Sequence, residues 1–364
     1  MYDTQQQSAV VMANSSLEPK HILVVDDDPV FRRVTTNFLT HQGYRVTESE
    51  NGLDGLQSLS SEVPDLVLCD LSMPILDGIE FVEEVQLEYP SLPIIVVSGT
   101  EQMSEVAKAL RFGIKDFLPK PIENYRHLLS AVDNTLEDST SLLHGQRDFS
   151  AQWFRVEGGG EVPEEQELHW HLDYLQNNPS AARDLLHALL PEKDTSQGNW
   201  KCNYRLLQSS TNMPLVFDYA WVMNGQFAFY LVDADSAEDA VGSVLLIRAL
   251  FDDYLRNTRS MHVDLKEVAM TIEKGLCCSD ETPAVNALFG VADLTDGSVS
   301  IMPAGIESTW AVGQHNHKVE SGNQLGDHCA KNFVTTGLEI GSSGQLRVSK
   351  VGAVSFNLEI KPMQ

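Results

Sequence analysis

His21-Ile22-Leu23-Val24-Val25-Asp26-Asp27-Asp28 is the stretch that decides the first half of the fold. A short apolar run ends abruptly in three acids. Val30 to Gln42 then carries helical spacing at Val30, Phe31, Val34, Phe38 and Leu39, and Gly43 stops it. The alternation repeats downstream. Leu66–Cys69 and Ile94–Val97 are four-residue apolar runs that read as buried strands, and helical stretches fall at about 77–88, 102–112 and 122–137. Alternating strands and helices with strands apolar on both faces predict a doubly wound, five-stranded parallel sheet.

The whole chain has 364 residues, and at roughly 150 residues per domain that favours two or three domains. Acids dominate: 52 Asp+Glu against 25 Lys+Arg give a net charge of −27. A nucleic-acid binder needs a basic footprint to replace phosphate counterions, so direct DNA binding is excluded as an expectation. The longest apolar run, Phe227–Val232, is far short of the roughly 20 residues of a membrane span. No basic segment precedes an apolar stretch at the start, so no export signal is expected. The cysteines Cys69, Cys202, Cys277, Cys278 and Cys329 are odd in number and lack CxxC spacing, which argues for a reducing cytoplasmic setting over a disulfide framework or a zinc site.

Residues 1–19 lack hydrophobic periodicity and read as a mobile tail. Residues 20–137 form the first domain. Residues 138–200 read as a segmented helical linker, with Gly158-Gly159-Gly160, an acidic Glu161–Glu167 stretch, and Asn178-Pro179 as an N-cap and first helical position. Residues 201–364 form a second domain with strands at Leu215–Val222, Gln226–Val232, Ala287–Ala292 and Ser298–Pro303 and helices at about 239–257 and 264–276. Asn224-Gly225 and Asp296-Gly297 each separate two strands and signal hairpins, so this domain is α+β with antiparallel sheets.

In a doubly wound sheet, ligands bind outside the carboxyl ends of the strands. There the first domain places Asp26-Asp27-Asp28, Asp70, Ser98-Gly99-Thr100 and Lys120-Pro121. Crowded carboxylates repel one another unless a cation sits among them, and oxygen ligands suit Mg²⁺. A carboxylate beside Mg²⁺ is a nucleophile toward phosphorus, and a lysine and a hydroxyl can steady the phosphoryl oxygens.

The landmarks Ile22-Leu23-Val24-Val25-Asp26-Asp27, Leu68-Cys69-Asp70-Leu71-Ser72-Met73-Pro74, Asp77-Gly78, Val97-Ser98-Gly99 and Phe117-Leu118-Pro119-Lys120-Pro121 resemble the flavodoxin-like receiver domain of two-component response regulators. The resemblance implies that Asp70 is the phospho-acceptor, charged by a sensor kinase or a small-molecule phosphodonor. It implies that Asp26, Asp27 and Asp70 hold Mg²⁺ with the backbone carbonyl of Ser72. Ser98 becomes the switch hydroxyl, Phe117 the switch aromatic, and Lys120 the phosphate contact before a cis proline. Asp28 receives no role.

Ala228-Phe229-Tyr230-Leu231-Val232-Asp233-Ala234-Asp235 and Ala287-Leu288-Phe289-Gly290-Val291-Ala292-Asp293 resemble the metal-dependent PPM phosphatases of the SpoIIE and RsbU kind. Catalysis there needs two metals held by carboxylates from separate strands. Asp233 stands at one ligand position, but Asp-x-x-Gly-His-Gly is replaced by Asp233-Ala234-Asp235-Ser236-Ala237-Glu238, and Ser349-Lys350-Val351-Gly352-Ala353-Val354 offers a lysine and no acid. A pseudophosphatase follows, with no catalytic residues. Asp235, Glu238 and Asp239 then read as acids at a helix N-terminus. His169-Trp170-His171 is not a metal site, because positions i and i+2 on a helix diverge. Cys277-Cys278 reads as partly buried thiols.

Receiver, segmented linker and degenerate PPM domain together resemble the RssB-type response regulators, with local agreement at Val30-Phe31-Arg32, Ala107-Lys108-Ala109-Leu110-Arg111, Asn203-Tyr204-Arg205 and Leu246-Ile247-Arg248-Ala249-Leu250-Phe251. That resemblance implies an adaptor that binds an RpoS-type sigma factor and hands it to the ClpXP protease, with anti-adaptors that block the handover. The rivals are an active phosphatase acting on an anti-sigma antagonist, and a scaffold that works without a protease.

Overall fold

The computed structural model describes residues 19–99, 103–122, 124–140, 169–209, 212–222, 225–257, 262–277, 282–327, 333–350 and 354–363. The tail read at 1–19 (all but its last residue), the glycine-rich and acidic linker stretches, Thr100, Asn224, Cys278 and Val351-Gly352-Ala353 lie outside the described residues.

The first domain is built on five parallel strands, β1 (His21–Val25), β2 (Arg45–Ser49), β3 (Leu66–Cys69), β4 (Ile94–Gly99) and β5 (Asp116–Lys120), in the order β2-β1-β3-β4-β5. Five helices connect and flank them: α1 (Pro29–His41), α2 (Gly52–Ser61), α3 (Gly78–Glu88), α4 (Met103–Phe112) and α5 (Tyr125–Thr140). The period of two along each strand divides its side chains between two layers. Leu23, Val25, Val67, Cys69, Ile94 and Val96 pack with Phe81 and Val85 of α3 and Val106 and Ala107 of α4. Ile22, Val24, Leu66, Leu68, Ile95 and Val97 pack with Leu39 of α1 and Leu128 and Val132 of α5.

Polar residues that follow the strands start the helices. Asp28 accepts from the Val30 amide at 2.8 Å, Asn51 from Asp54 at 3.0 Å and Asp77 from Glu80 at 2.9 Å, each satisfying an orphan donor of a first turn. The third acid of the Asp26–Asp28 run is therefore a helix cap, with Pro29 at the first helical position.

The second half carries β6 (Asp194–Gln197), β7 (Trp200–Gln208), β8 (Leu215–Val222), β9 (Gln226–Asp233), β10 (Asn286–Asp293), β11 (Ser298–Ala304), β12 (Ser308–Val312), β13 (His315–Val319), β14 (Thr336–Glu339), β15 (Gly344–Lys350) and β16 (Val354–Pro362). They form two antiparallel sheets, ordered β14-β11-β10-β9-β8 and β13-β12-β15-β16-β7-β6. The sheets share a core of Phe217, Phe227, Phe229, Trp310 and Phe356. On the other face of the first sheet lie α8 (Val241–Asn257) and α9 (Leu265–Cys277), with Tyr230 and Phe289 buried beside Leu246, Leu250 and Ile272. Gly297, at φ 76°, turns the β10–β11 hairpin as expected from its Asp-Gly pair. Gly225, at φ 77°, does the same between the antiparallel β8 and β9.

Between the halves stand α6 (His169–Asn177) and α7 (Pro179–Ala188). Asn178 and Pro179 occupy the positions expected of them, but the Asn178 side chain makes no capping bond. It turns back and donates to the Tyr174 carbonyl at 2.8 Å, closing the end of α6 instead. Cys277 corrects the reading of a partly buried thiol: it is exposed. As the last residue of α9 it stands about 100° around the axis from buried Leu276, off the face that carries Leu265, Val268 and Ile272. No helix among the described residues is long and apolar enough to cross a membrane.

One contact fixes how α3 meets the end of β3. A Cβ at Gly78 would lie 2.1 Å from the Asp70 carbonyl oxygen and 2.4 Å from the Leu71 Cα, both backbone atoms that have no rotamer in which to retreat. Gly78→Ala is expected to cost about 2–3 kcal/mol in denaturant unfolding, in the upper range of overpacking penalties.

Candidate functional site

The carboxyl ends of β1, β3, β4 and β5 converge at one end of the first sheet, and four of the residues read from the sequence meet there. Asp26 is 1% exposed and Asp70 6%, while Asp27 is exposed. One carboxylate oxygen from each of the three lies within 4.8 Å of the others. Lys120 reaches into this group from the end of β5 and donates to Asp26 Oδ2 at 2.6 Å and Asp70 Oδ2 at 2.7 Å. The other oxygens are held by main chain: Asp26 Oδ1 accepts from the Asp28 amide at 3.0 Å, and Asp70 Oδ1 from the Ser72 amide at 3.3 Å.

The Lys120–Pro121 peptide is cis, as expected. Ser98 is buried at the end of β4, where the register sets it opposite Pro119 and its neighbour Gly99 opposite Lys120. Phe117 is buried in β5, and its ring meets Tyr174 of α6 edge-on, with centroids 6.5 Å apart and planes at 72°.

Burial pushes the Asp26 carboxyl above its usual range, more than the bond to Lys120 pulls it down. Burial alone would lower Lys120, but its bonds to Asp26 and Asp70 outweigh that and hold the ammonium above its ordinary value. One lysine against three carboxylates leaves the cluster short of positive charge. Its all-oxygen donors and half-open geometry fit a hard divalent cation such as Mg²⁺. Asp26, Asp27 and Asp70 would hold it.

Two neighbours were not assigned roles by the sequence. Arg32, buried in α1, donates to the Asp26 carbonyl at 2.5 Å and pairs with Glu50 at 3.1 Å, bracing the acidic loop against the loop after β2. Phe31 lays its ring 4.5 Å from the Lys120 ammonium. The available signal was the Asp-Pro start of α1, because long side chains in a first turn lean back over the loop before it.

In the second half, Asp233 closes β9 and its Oδ1 accepts from the Asp235 amide at 3.1 Å. The Lys350 ammonium stands 3.6 Å from Asp233 Oδ2 and 3.8 Å from Asp235 Oδ2. Among the described residues, the group of three or more metal-ligating side chains within reach of one ion is Asp26, Asp27 and Asp70, and Asp233 belongs to none. Glu238 and Asp239 precede α8, and Asp239 takes a left-handed φ of 58°. His169-Trp170-His171 opens α6, but the side chains of these three lie outside the described residues.

Residues 22–133 match the family described as the response regulator receiver domain. The N-terminal domain is a receiver domain. The chain's similarity continues beyond that domain: it is 28% identical to the Regulator of RpoS of Escherichia coli (strain K12) over 312 residues, covering 84% of this chain and 88% of the relative. Its likeness to the transcriptional regulatory protein GlrR of the same organism is confined to 124 residues, at 36% identity, 34% of this chain and 28% of that one. A solved CheY-like receiver domain protein from Methanospirillum hungatei JF-1 is 29% identical, covering 34% of this chain and 97% of its own, with a TM-score of 0.33.

The direction of the Asp26 shift sets a pH dependence. A carboxyl whose native pKa is raised contributes stability at acid pH, and that contribution is lost as pH rises through the native pKa. At neutral pH, Lys120 offsets the buried charge. Lys120→Met is expected to destabilise the protein by about 3 kcal/mol at pH 7 and by much less near pH 4, measured by urea unfolding at both values.

Proposed function

We propose that Asp70 is the phospho-acceptor of a switch that controls an adaptor for an RpoS-type sigma factor. The observation that carries the reading is that likeness to the Regulator of RpoS runs on past the receiver through the antiparallel domain, while the acidic pocket stays complete. In the reaction an Asp70 oxygen attacks the phosphorus of a kinase phosphohistidine or of a small phosphodonor. The new oxygen–phosphorus bond forms as the bond to the leaving group breaks, and the leaving group departs with the electron pair. Asp26, Asp27, Asp70 and the Ser72 carbonyl would hold Mg²⁺, which when bound would supply neutralising charge for the phosphoryl oxygens. Lys120 and the Ser98 hydroxyl donate to those oxygens, and Phe117 follows as Ser98 moves.

The message has a short way to travel. α4 packs on α7, with Val106, Ala107 and Leu110 in one buried cluster with Ala182, Leu185 and Leu186. The Arg111 guanidinium donates to the Ala188 carbonyl at the end of α7, where the helix dipole is negative. Phe117 touches Tyr174, and α6 in turn meets α8. A phosphoryl group adds about −1.5 to −2 charges next to this assembly and biases how the two halves meet. The domain boundaries we favour are a tail at 1–19, a receiver at 20–137, a helical linker at 138–200 and an effector at 201–364.

The effector is a phosphatase-like sandwich without phosphatase chemistry. Lys350 places a fixed positive charge against Asp233 and Asp235, which supports a site that holds an internal ion pair in place of metal. The adaptor would bind the sigma factor and deliver it to ClpXP, with anti-adaptors competing. An acidic surface at −27 speeds encounter with a basic partner.

Incubation with phosphoramidate and Mg²⁺ is expected to label the wild type and leave Asp70→Ala unlabelled; an unlabelled wild type removes the switch. In a purified mixture, ClpXP is expected to degrade RpoS faster with the protein than without it. Equal rates defeat the adaptor reading, and p-nitrophenyl phosphate hydrolysis with Mn²⁺ would replace it with an active phosphatase.

A further inference from the structure

One contact of Lys120 is neither a hydrogen bond nor an ion pair. An ammonium has three donors, and Asp26 and Asp70 receive two of them at 2.6 and 2.7 Å. The ring centroid of Phe31 lies 4.5 Å from the same nitrogen, well within the roughly 6 Å reach of attraction between a cation and an aromatic face. The ring is carried on a braced turn. Asp28 caps α1, Pro29 sets its first residue, and Arg32 ties that turn to the Asp26 carbonyl. Phe31 and the pocket therefore move as one piece.

Building on the phosphorylation reading above, we infer that Phe31 is a positioning residue for Lys120, holding the ammonium at the pocket while it exchanges the Asp70 carboxylate for a phosphoryl oxygen. When Asp70 bonds to phosphorus, its carboxylate becomes the acyl end of a mixed anhydride, and the negative charge moves outward to the phosphoryl oxygens. Lys120 loses much of its attraction to Asp70 and must turn after that charge. Its hydrogen bond to Asp70 is directional and breaks in the turn. The ring face attracts an ammonium over a range of positions, so this contact persists and keeps water from taking the cation away. Phe31 also packs beside the cluster of Ile22, Val24 and Leu39, and a purely structural role would be filled by any apolar side chain of similar size.

The discriminating series is Phe31→Leu, Phe31→Tyr and Phe31→Trp in the full chain, with the rate of Asp70 labelling by phosphoramidate and Mg²⁺ as readout. Phe31→Leu is expected to label about five-fold more slowly, as loss of one half-desolvated cation–π contact implies, while Tyr and Trp restore the rate. Leucine at the wild-type rate, or all three variants slowed alike, overturns the proposal. A second measurement does not depend on phosphorylation. In ¹³C-lysine-labelled protein, the ring-current shift of the Lys120 side chain should vanish in Phe31→Leu and survive in Phe31→Trp. A wild type that takes no label removes the phospho-acceptor reading. A Lys120 signal unmoved by Phe31→Leu removes the contact itself.

Discussion

Three carboxylates gathered at the end of one sheet would repel one another, and Lys120 makes the arrangement tolerable. Its ammonium bonds to the two buried members, Asp26 and Asp70, and leaves the exposed Asp27 facing solvent. The architecture around it serves these two ion pairs. Buried parallel strands bring four loop ends together, caps at Asp28 and Asp77 start helices away from the pocket, and Arg32 ties down the loop that carries Asp26. A lone lysine against three acids leaves a shortfall of positive charge, and oxygen donors gathered in this way fit a divalent cation.

The two halves use acids differently. In the receiver, three acids share one lysine, and the set fits a divalent cation. In the sandwich, Asp233 and Asp235 meet a lysine of the same chain, so their charge is met from within. The same residue type thus builds an acid-rich cluster in one domain and an ion pair in the other.

The first domain was legible because its information is local. Apolar runs ending in acids, glycine stops and Asn-Gly or Asp-Gly turns each act within a few residues, and the parallel sheet of the first domain and the two antiparallel hairpins of the second follow from them. The acidic cluster and Lys120 could be read from strand ends alone. Asn178 was harder, because the same side chain can cap the helix after it or close the helix before it, and tertiary geometry chose the second. Cys277 was misplaced because the phase of a helix at its last residue decides exposure. Lys350 beside Asp233 and Arg111 at the end of α7 join residues far apart in sequence, and nothing local announces such meetings, whereas Phe31 over Lys120 had only the Asp-Pro start of α1 to hint at it.

The buried cluster that begins under α3 and α4 continues without a break through α6 and α7 to α8, α9 and the sheet of Tyr230 and Phe289. A hydrophobic seam shared in this way makes the halves melt together, because neither can expose its side of the seam without stripping the other. The described parts of the molecule should therefore show one calorimetric transition, and whatever loosens the seam at α7 should let heat take the receiver and the sandwich apart at separate temperatures.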